Sequence, residues 1–554
     1  MVTRSVYPFC LKNVITPLIF FLILPGYYLS GQEKNYNVFY RVYFRDKGEN
    51  RINDFSLSDL LTSRAVERRI KAGITVPDIR DIPVYSGYVE QISSSGFKLH
   101  CISRWMNTAL FKTEAPADIS ALLNLPFVKD VKIIKNSSAK NSDSDKLYFG
   151  TVQTDQPPYD QPLNMLNGTV VHNSGYNGKG ILIAVLDGGF ANTDNISSLE
   201  TLRNRHGIKG TYDFVNKNEF VYGFHSHGTA VLSILGGSVP GSIEGTAQGA
   251  DYILLRTEDT GSEFPVEEDY WAAGAEFADS LGADIISSSL GYFTFDDPGL
   301  DYKFSDMDGN STFVTRAADI AASKGILVVN SAGNERNKTW LRIIAPSDGD
   351  SVVAVGAVDG NRVISSFSSA GPSFDRQVKP DVASQGVSVP VQVQESIVER
   401  SGGTSFSCPL ISGMCACIMQ AVPGATNADI IASLHSASDR YFSPDSLYGY
   451  GIPDFAEVMN QLQEKYLIKP ENGSTVSPNP FNNELKITFR ENPERLKIEI
   501  FDIRGRLIMK KNYADYISRS LILDDFRNFE RGIYFVRLGT PGGIFTHKVI
   551  KVNR

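Results

Sequence analysis

Cysteine is scarce in this chain, with five in 554 residues, at positions Cys10, Cys101, Cys408, Cys415 and Cys417. Cys415 and Cys417 are two apart in a stretch that reads as helix, so they point to different faces, and no disulfide framework can be drawn. The folded protein must rely on its core, and the thiols, Cys408 included, read as packing residues and not as catalysts. No long run of Lys and Arg appears, and the net charge of −8 argues against a nucleic-acid role. Histidine is sparse too, at seven residues. His225 lacks a following Gly-Thr, His206 is followed by Gly207 and then Ile208, and His100, His172, His435 and His547 sit in no catalytic context. His227 is different.

What is present is a set of three short segments in one order: an apolar run ending at Asp187 before Gly188 and Gly189, then His227-Gly228-Thr229, then Gly402-Gly403-Thr404-Ser405-Phe406-Ser407. Each alone is a weak signal; together they supply the parts of a nucleophilic triad. A serine hydroxyl is a poor nucleophile at neutral pH and needs an imidazole to take its proton. The imidazole needs a carboxylate to fix its tautomer and stabilise its charged form. The order Asp, His, Ser excludes the chain orders of the chymotrypsin-like and α/β-hydrolase enzymes.

On these residues, together with Ser331-Ala332-Gly333-Asn334, the chain resembles the subtilases. The resemblance implies that Asp187, His227 and Ser405 are catalytic and that Asn334 donates to the oxyanion. A second donor is expected from the Ser405 backbone N–H at the start of a helix. That helix is expected over Ser405 to Gln420, with Pro409 early enough to be tolerated near its first turn. Ser289-Leu290-Gly291 is similar to the family segment that pairs with an extended peptide substrate, and Gly333 is expected to share in substrate binding. Tyr292 stands where the family often has a second glycine; its ring either narrows the groove or packs on a loop. Ser368 to Pro372 and Lys379 to Ala383 extend the resemblance, although Gln385 replaces a proline often found there.

A chain of this length exceeds what one core usually holds, so several domains are expected. Arg4 and Lys12 precede an apolar stretch from Val14 to Leu29 containing Pro17 and Pro25 and ending in Ser30 and Gly31. It reads as a signal peptide, residues 1–31, because a membrane anchor needs about 20 apolar residues and is poorly served by this stretch. Residues 32–146 read as a small α+β domain, with strands at Val38 and Phe127, a helix from Ser58 to Ala72, and a polar linker from Asn136 to Lys146. The resemblance implies a propeptide there, which assists folding and inhibits the enzyme, against the alternative of a permanently attached accessory domain.

Residues 147–466 alternate short apolar runs with helices. The runs are at Ile181, Tyr252, Ile285 and Ile326, and the helices over Glu267 to Leu281 and Phe313 to Lys324. This pattern predicts a doubly wound α/β domain with a parallel sheet, whose ligands bind at the carboxyl ends of the strands.

Residues 467–554 show alternating segments at Leu485, Leu496 and Gly532 separated by turns, predicting a β-sandwich. With Pro478 to Phe481, Phe501 to Gly505, Arg531 to Tyr534 and Lys548 to Val552, this unit is similar to the C-terminal sorting domain of type IX secretion cargo in Bacteroidetes. That implies the secretion machinery as a partner and a location outside the cell or on its surface. The alternative is a carbohydrate- or protein-binding module.

The resemblance therefore implies a secreted serine endopeptidase acting on protein or peptide substrates and made as a zymogen. The other class is a catalytically silent relative serving as a surface adhesin or binding protein. No cofactor is implied for catalysis, and structural calcium is allowed. Asp306-Met307-Asp308-Gly309-Asn310 alternates oxygen ligands, but its glycine falls too early for an EF-hand and no glutamate stands at the twelfth position, so a surface turn is expected.

Overall fold

The computed structural model describes residues 37–136, 147, 161–466, 473–516 and 518–552. The predicted signal peptide and most of the predicted linker lie outside them.

The central unit is built on seven parallel strands. Their order is Val382–Gln385, Val352–Val358, Leu327–Ser331, Ile285–Ser288, Leu182–Asp187, Asp251–Arg256 and Ile208–Asp213. Successive side chains of a strand face opposite ways, and here both faces are covered. Ile183 and Val185 join one apolar core with Val231, Phe406 and Met414. Leu182, Ala184 and Leu186 join another with Trp271, Phe313 and Ala317. The first face carries the helices His227–Gly236 and Thr404–Ala421, and the second carries Val266–Leu281 and Phe313–Ser323. The Thr404–Ala421 helix is apolar and long enough to cross a membrane by composition, yet it is almost wholly buried in this core.

The N-terminal unit is a four-stranded antiparallel sheet in the order Lys98–Ser103, Thr108–Thr113, Val38–Phe44 and Val128–Asn136. Alternation along Val38–Phe44 decides its two contacts: Val38, Tyr40, Val42 and Phe44 face the unit's own core, whereas Phe39 faces the peptidase-side core. The single helix predicted from Ser58 to Ala72 is two helices, Leu57–Leu60 and Ser63–Lys71. The break falls at Leu61 and Thr62 because Thr62 caps the second helix through its side chain, while its N–H donates to Ser280 O at 3.0 Å across the interface.

The C-terminal unit packs a three-stranded sheet against a four-stranded one, both antiparallel. Ile487, Ile498, Ile500, Leu521, Val536 and Leu538 fill the space between. It touches the central unit where Ile522 N donates to Ser174 O at 3.1 Å and Tyr176 Oη bonds Ser520 Oγ at 2.7 Å.

Candidate active site

The strand Leu182–Asp187 lies at the centre of the sheet and delivers Asp187 at its carboxyl end. Gly188 N donates to Asp187 Oδ1 at 2.7 Å. Both carboxylate oxygens also lie 2.9 Å from Nδ1 of His227, the first residue of the His227–Gly236 helix. Asp187 is fully buried and His227 nearly so, so the contact sits where water competes little. Gly228 lets the helix come this close: its N–H donates to Gly189 O at 3.1 Å, and a Cβ at 228 would lie 2.5 Å from that oxygen. His225 takes no part as a rival base here; its Nδ1 accepts the His227 N–H at 3.0 Å.

Ser405 is the second residue of the Thr404–Ala421 helix, where a backbone N–H has no intrahelical acceptor. Pro409 lies in the second turn and not the first. A proline there lacks the N–H that would bond the Ser405 carbonyl, and Ser289 Oγ takes over that bond at 2.9 Å. Ser289 therefore supports the serine's backbone while its main chain borders the cleft.

Asn334 follows the strand Leu327–Ser331 by three residues. Its Oδ1 accepts from Thr404 N at 2.9 Å and from Thr404 Oγ1 at 3.0 Å, which leaves Nδ2 as the outward donor. The Thr404 hydroxyl also accepts from Gly333 N at 3.2 Å. Thr404 ties Asn334 to the serine helix, a role that reading the motif for the serine alone did not single out.

His227, Ser405, Asn334, Ser289, Leu290, Gly291 and Gly333 line one cleft of about 560 Å³. Its wall leaves no room for side chains at the two glycines: a Cβ at Gly291 would lie 2.2 Å from Ile344 Cδ1, and one at Gly333, which has a φ of +104°, 2.8 Å from Ser369 Oγ. Glu258, Glu263, Asp296 and Glu335 make another part of the wall acidic. No local motif marked them.

Tyr292 does not narrow the groove. Its ring is fully buried and outside the cleft lining, its backbone pairs with Ala345, and its hydroxyl hydrogen-bonds Glu258 from behind the wall. Cys408 is packed as expected, with Sγ 3.5 Å from both Ser288 O and Val329 O. Burial pushes its thiol pKa up to about 12, which removes it as a nucleophile. Cys415 and Cys417 are also buried.

The Asp306–Asn310 segment is a turn. Asp308 Oδ1 accepts from Asn310 N at 3.0 Å and Ser311 N at 2.7 Å, its Oδ2 accepts from Ser311 Oγ at 2.8 Å, and Asp306 Oδ2 accepts from Lys303 N at 2.7 Å. Among the described residues, the carboxylates that converge most closely are those of Glu258, Glu263 and Glu267, within 4.8 Å of one another. Both oxygens of Glu267 already accept backbone N–H groups, from Asp259 and Phe264.

A parallel α/β sheet with a buried Asp–His pair, a serine at a helix start and an oriented asparagine defines a serine hydrolase of the triad class. The comparisons narrow that class. Residues 178–451 match the family model described as the subtilase family, residues 39–147 the peptidase S8 propeptide domain of Bacteroidota, and residues 475–552 the secretion-system C-terminal sorting domain. Subtilisin E from Bacillus subtilis is 27% identical over 368 residues, covering 65% of this chain and 83% of its own. Subtilisin from Bacillus pumilus is 28% identical over 296 residues, covering 52% and 94%. Among solved structures, MycP1 from Mycobacterium smegmatis overlays with a TM-score of 0.45 at 20% identity, covering 56% of this chain and 88% of that one. The peptidase domain belongs to the subtilase family of serine endopeptidases. It is preceded by a propeptide domain and followed by a sorting domain for type IX secretion to the cell surface or beyond.

Proposed function

We propose that this protein cleaves peptide bonds in other proteins after export as a zymogen. Ser405 attacks the carbonyl, His227 takes its proton and returns it to the leaving amine, and Asp187 fixes the imidazole and stabilises its charge. Asn334 Nδ2 and the Ser405 N–H meet the oxygen as it becomes negative, with the helix dipole of Thr404–Ala421 adding to them. The reaction passes through an acyl-enzyme on Ser405, which water then hydrolyses. The observation that carries the reading is the Asp187 carboxylate on His227 Nδ1 in the same cleft as Ser405 and an asparagine held by Thr404.

In this reading residues 1–31 are a signal peptide, 32–146 a propeptide with its linker, 147–466 the peptidase and 467–554 the sorting domain. Ser289 to Gly291 and Gly333 border the path of an extended peptide, which favours peptides over simple esters. Catalysis by this set calls on no cofactor. A silent adhesin has no reason to retain all four residues.

A fluorophosphonate probe on the processed protein tests the assignment. Labelling is expected in wild type and absent in Ser405→Ala; no labelling of wild type, or labelling that survives the substitution, would reject it.

A further inference from the structure

His225 stands two residues before His227, and its ring accepts the His227 backbone N–H through Nδ1 at 3.0 Å. That N–H belongs to the first residue of the His227–Gly236 helix, and it is one of the donors that a helix start leaves without an intrahelical acceptor. Ser226, in the capping position, gives this helix no side-chain cap, and Ala230 N donates to Ser226 O at 3.0 Å. The His225 imidazole takes the place of the cap. A neutral ring that accepts at Nδ1 carries its proton on Nε2, so Nδ1 serves here as an acceptor.

The backbone of His225 is held from the other side, by the segment that follows Asp187. Ala191 N donates to His225 O at 3.2 Å and Phe190 N to Val221 O at 3.0 Å. A Cβ at Gly189 would lie 2.6 Å from His225 N and 2.8 Å from His225 O, so the two main chains are in close contact. Arg256 adds to the grip: its Nε donates to Gly188 O at 3.1 Å, and its guanidinium lies 3.9 Å over the Phe224 ring. His225 therefore joins the strand end that carries the carboxylate to the helix that begins with the imidazole. It lies outside the cleft lining, so its influence on catalysis runs through His227.

We propose that His225 is a positioning residue for the triad: its Nδ1 holds the first N–H of the His227 helix and so sets the His227 ring against Asp187. This deepens the proteolytic reading and rests on it. A reacting group displaced by about 1 Å loses about 10²-fold in rate, so a bond that fixes the start of this helix bears on turnover more than on binding.

The test compares the processed wild-type protein with His225→Ala, His225→Leu and His225→Asn. Asparagine places Oδ1 where histidine has Nδ1 and keeps the acceptor, whereas leucine has nearly the same shape and offers none. Steady-state kinetics on a peptide substrate and the rate of fluorophosphonate labelling of Ser405 are read on each, with thermal unfolding as the check on folding. His225→Ala and His225→Leu are expected to lose about 10- to 100-fold in kcat and in labelling rate with KM little changed, and His225→Asn to recover most of that loss. Should one of the first two fail to fold, the other still stands against His225→Asn. Equal losses with and without the acceptor, a loss confined to KM, or no loss in His225→Leu would overturn the positioning role and leave the nucleophile standing; an unlabelled wild type would overturn both.

Discussion

Arg41 and Asp269, 228 residues apart in the chain, form a buried ion pair between the N-terminal sheet and the Val266–Leu281 helix. Arg41 Nε donates to both carboxylate oxygens of Asp269, at 3.0 and 2.8 Å, and Nη2 donates to Pro265 O at 2.9 Å. Its guanidinium lies 3.7 Å over the Phe313 ring. The same helix presents Glu276 to Ser103, Arg104 and Trp105, and Asp279 to Arg68 and Arg69. The propeptide domain thus holds the peptidase by cations that its release must strip from buried carboxylates.

Removing one partner of such a pair leaves the other charged and buried, which costs about 3–5 kcal/mol. Arg41→Ala is therefore expected to loosen the propeptide strongly. After processing, the propeptide should separate from the peptidase on gel filtration at neutral pH, where wild type retains it. Equal retention would show that the pair contributes little.

Acid should also weaken this contact, through His100. The ring is buried between Phe39 and Tyr270, with centroids 5.3 and 5.4 Å away. Burial first, then Lys217, Lys112 and Lys135, hold its pKa down to about 3. Released, it returns towards 6.5, so the separated form takes up the proton first. Docking is at full strength above pH 6.5 and weakens as pH falls towards 3, by up to about tenfold per unit. Burial pushes Glu268, beside Arg41, up to about 7, so it titrates in the same window. The informative comparison is wild type against His100→Gln: propeptide retention between pH 7.5 and 4.5 should fall more steeply in wild type, and parallel curves would remove His100 from the account.

Asp187→Asn should preserve the cleft but present the wrong face of the amide to His227 Nδ1, so kcat is expected to drop by roughly 10⁴, as in other triad hydrolases. On the proposed mechanism Asn334→Ala removes one oxyanion donor, and its expected loss is about 10²–10³ in kcat with KM little changed. Steady-state kinetics on a peptide substrate separates the two. A loss confined to KM in Asn334→Ala would contradict its assigned role.

Gly228→Ala offers a purely steric probe. The added methyl would lie 2.5 Å from Gly189 O and 2.8 Å from the Phe190 ring, so the start of the His227 helix must move away from Asp187. A misplacement of about 1 Å is expected to lower kcat/KM by roughly 10². Activity equal to wild type would mean that the helix start has slack the structure does not show.

Residues 468–554 fused to a reporter should direct it out of the cell in a host with type IX secretion. The unit has its own apolar core, so it is expected to fold in the fusion. Retention of the reporter inside would favour a binding module instead.

The amino-acid sequence alone singled out the candidate chemistry-bearing residues, because Asp187, His227, Asn334 and Ser405 each stand in a short local segment whose glycines and small residues reflect close packing around them. It also marked four of the sheet's strands through the short apolar runs at Ile181, Tyr252, Ile285 and Ile326. The strand Ile208–Asp213, polar and at the sheet edge, and Val382–Gln385, four residues at the other edge, carry no comparable periodic signal. Only the tertiary structure decided that Ser289 satisfies the carbonyl Pro409 leaves open, that Thr404 sets the direction of Asn334 and that Tyr292 stands behind the wall. The reason is physical: each of these depends on atoms brought together across 34 to 116 residues of chain, and no local propensity encodes which distant group will meet them.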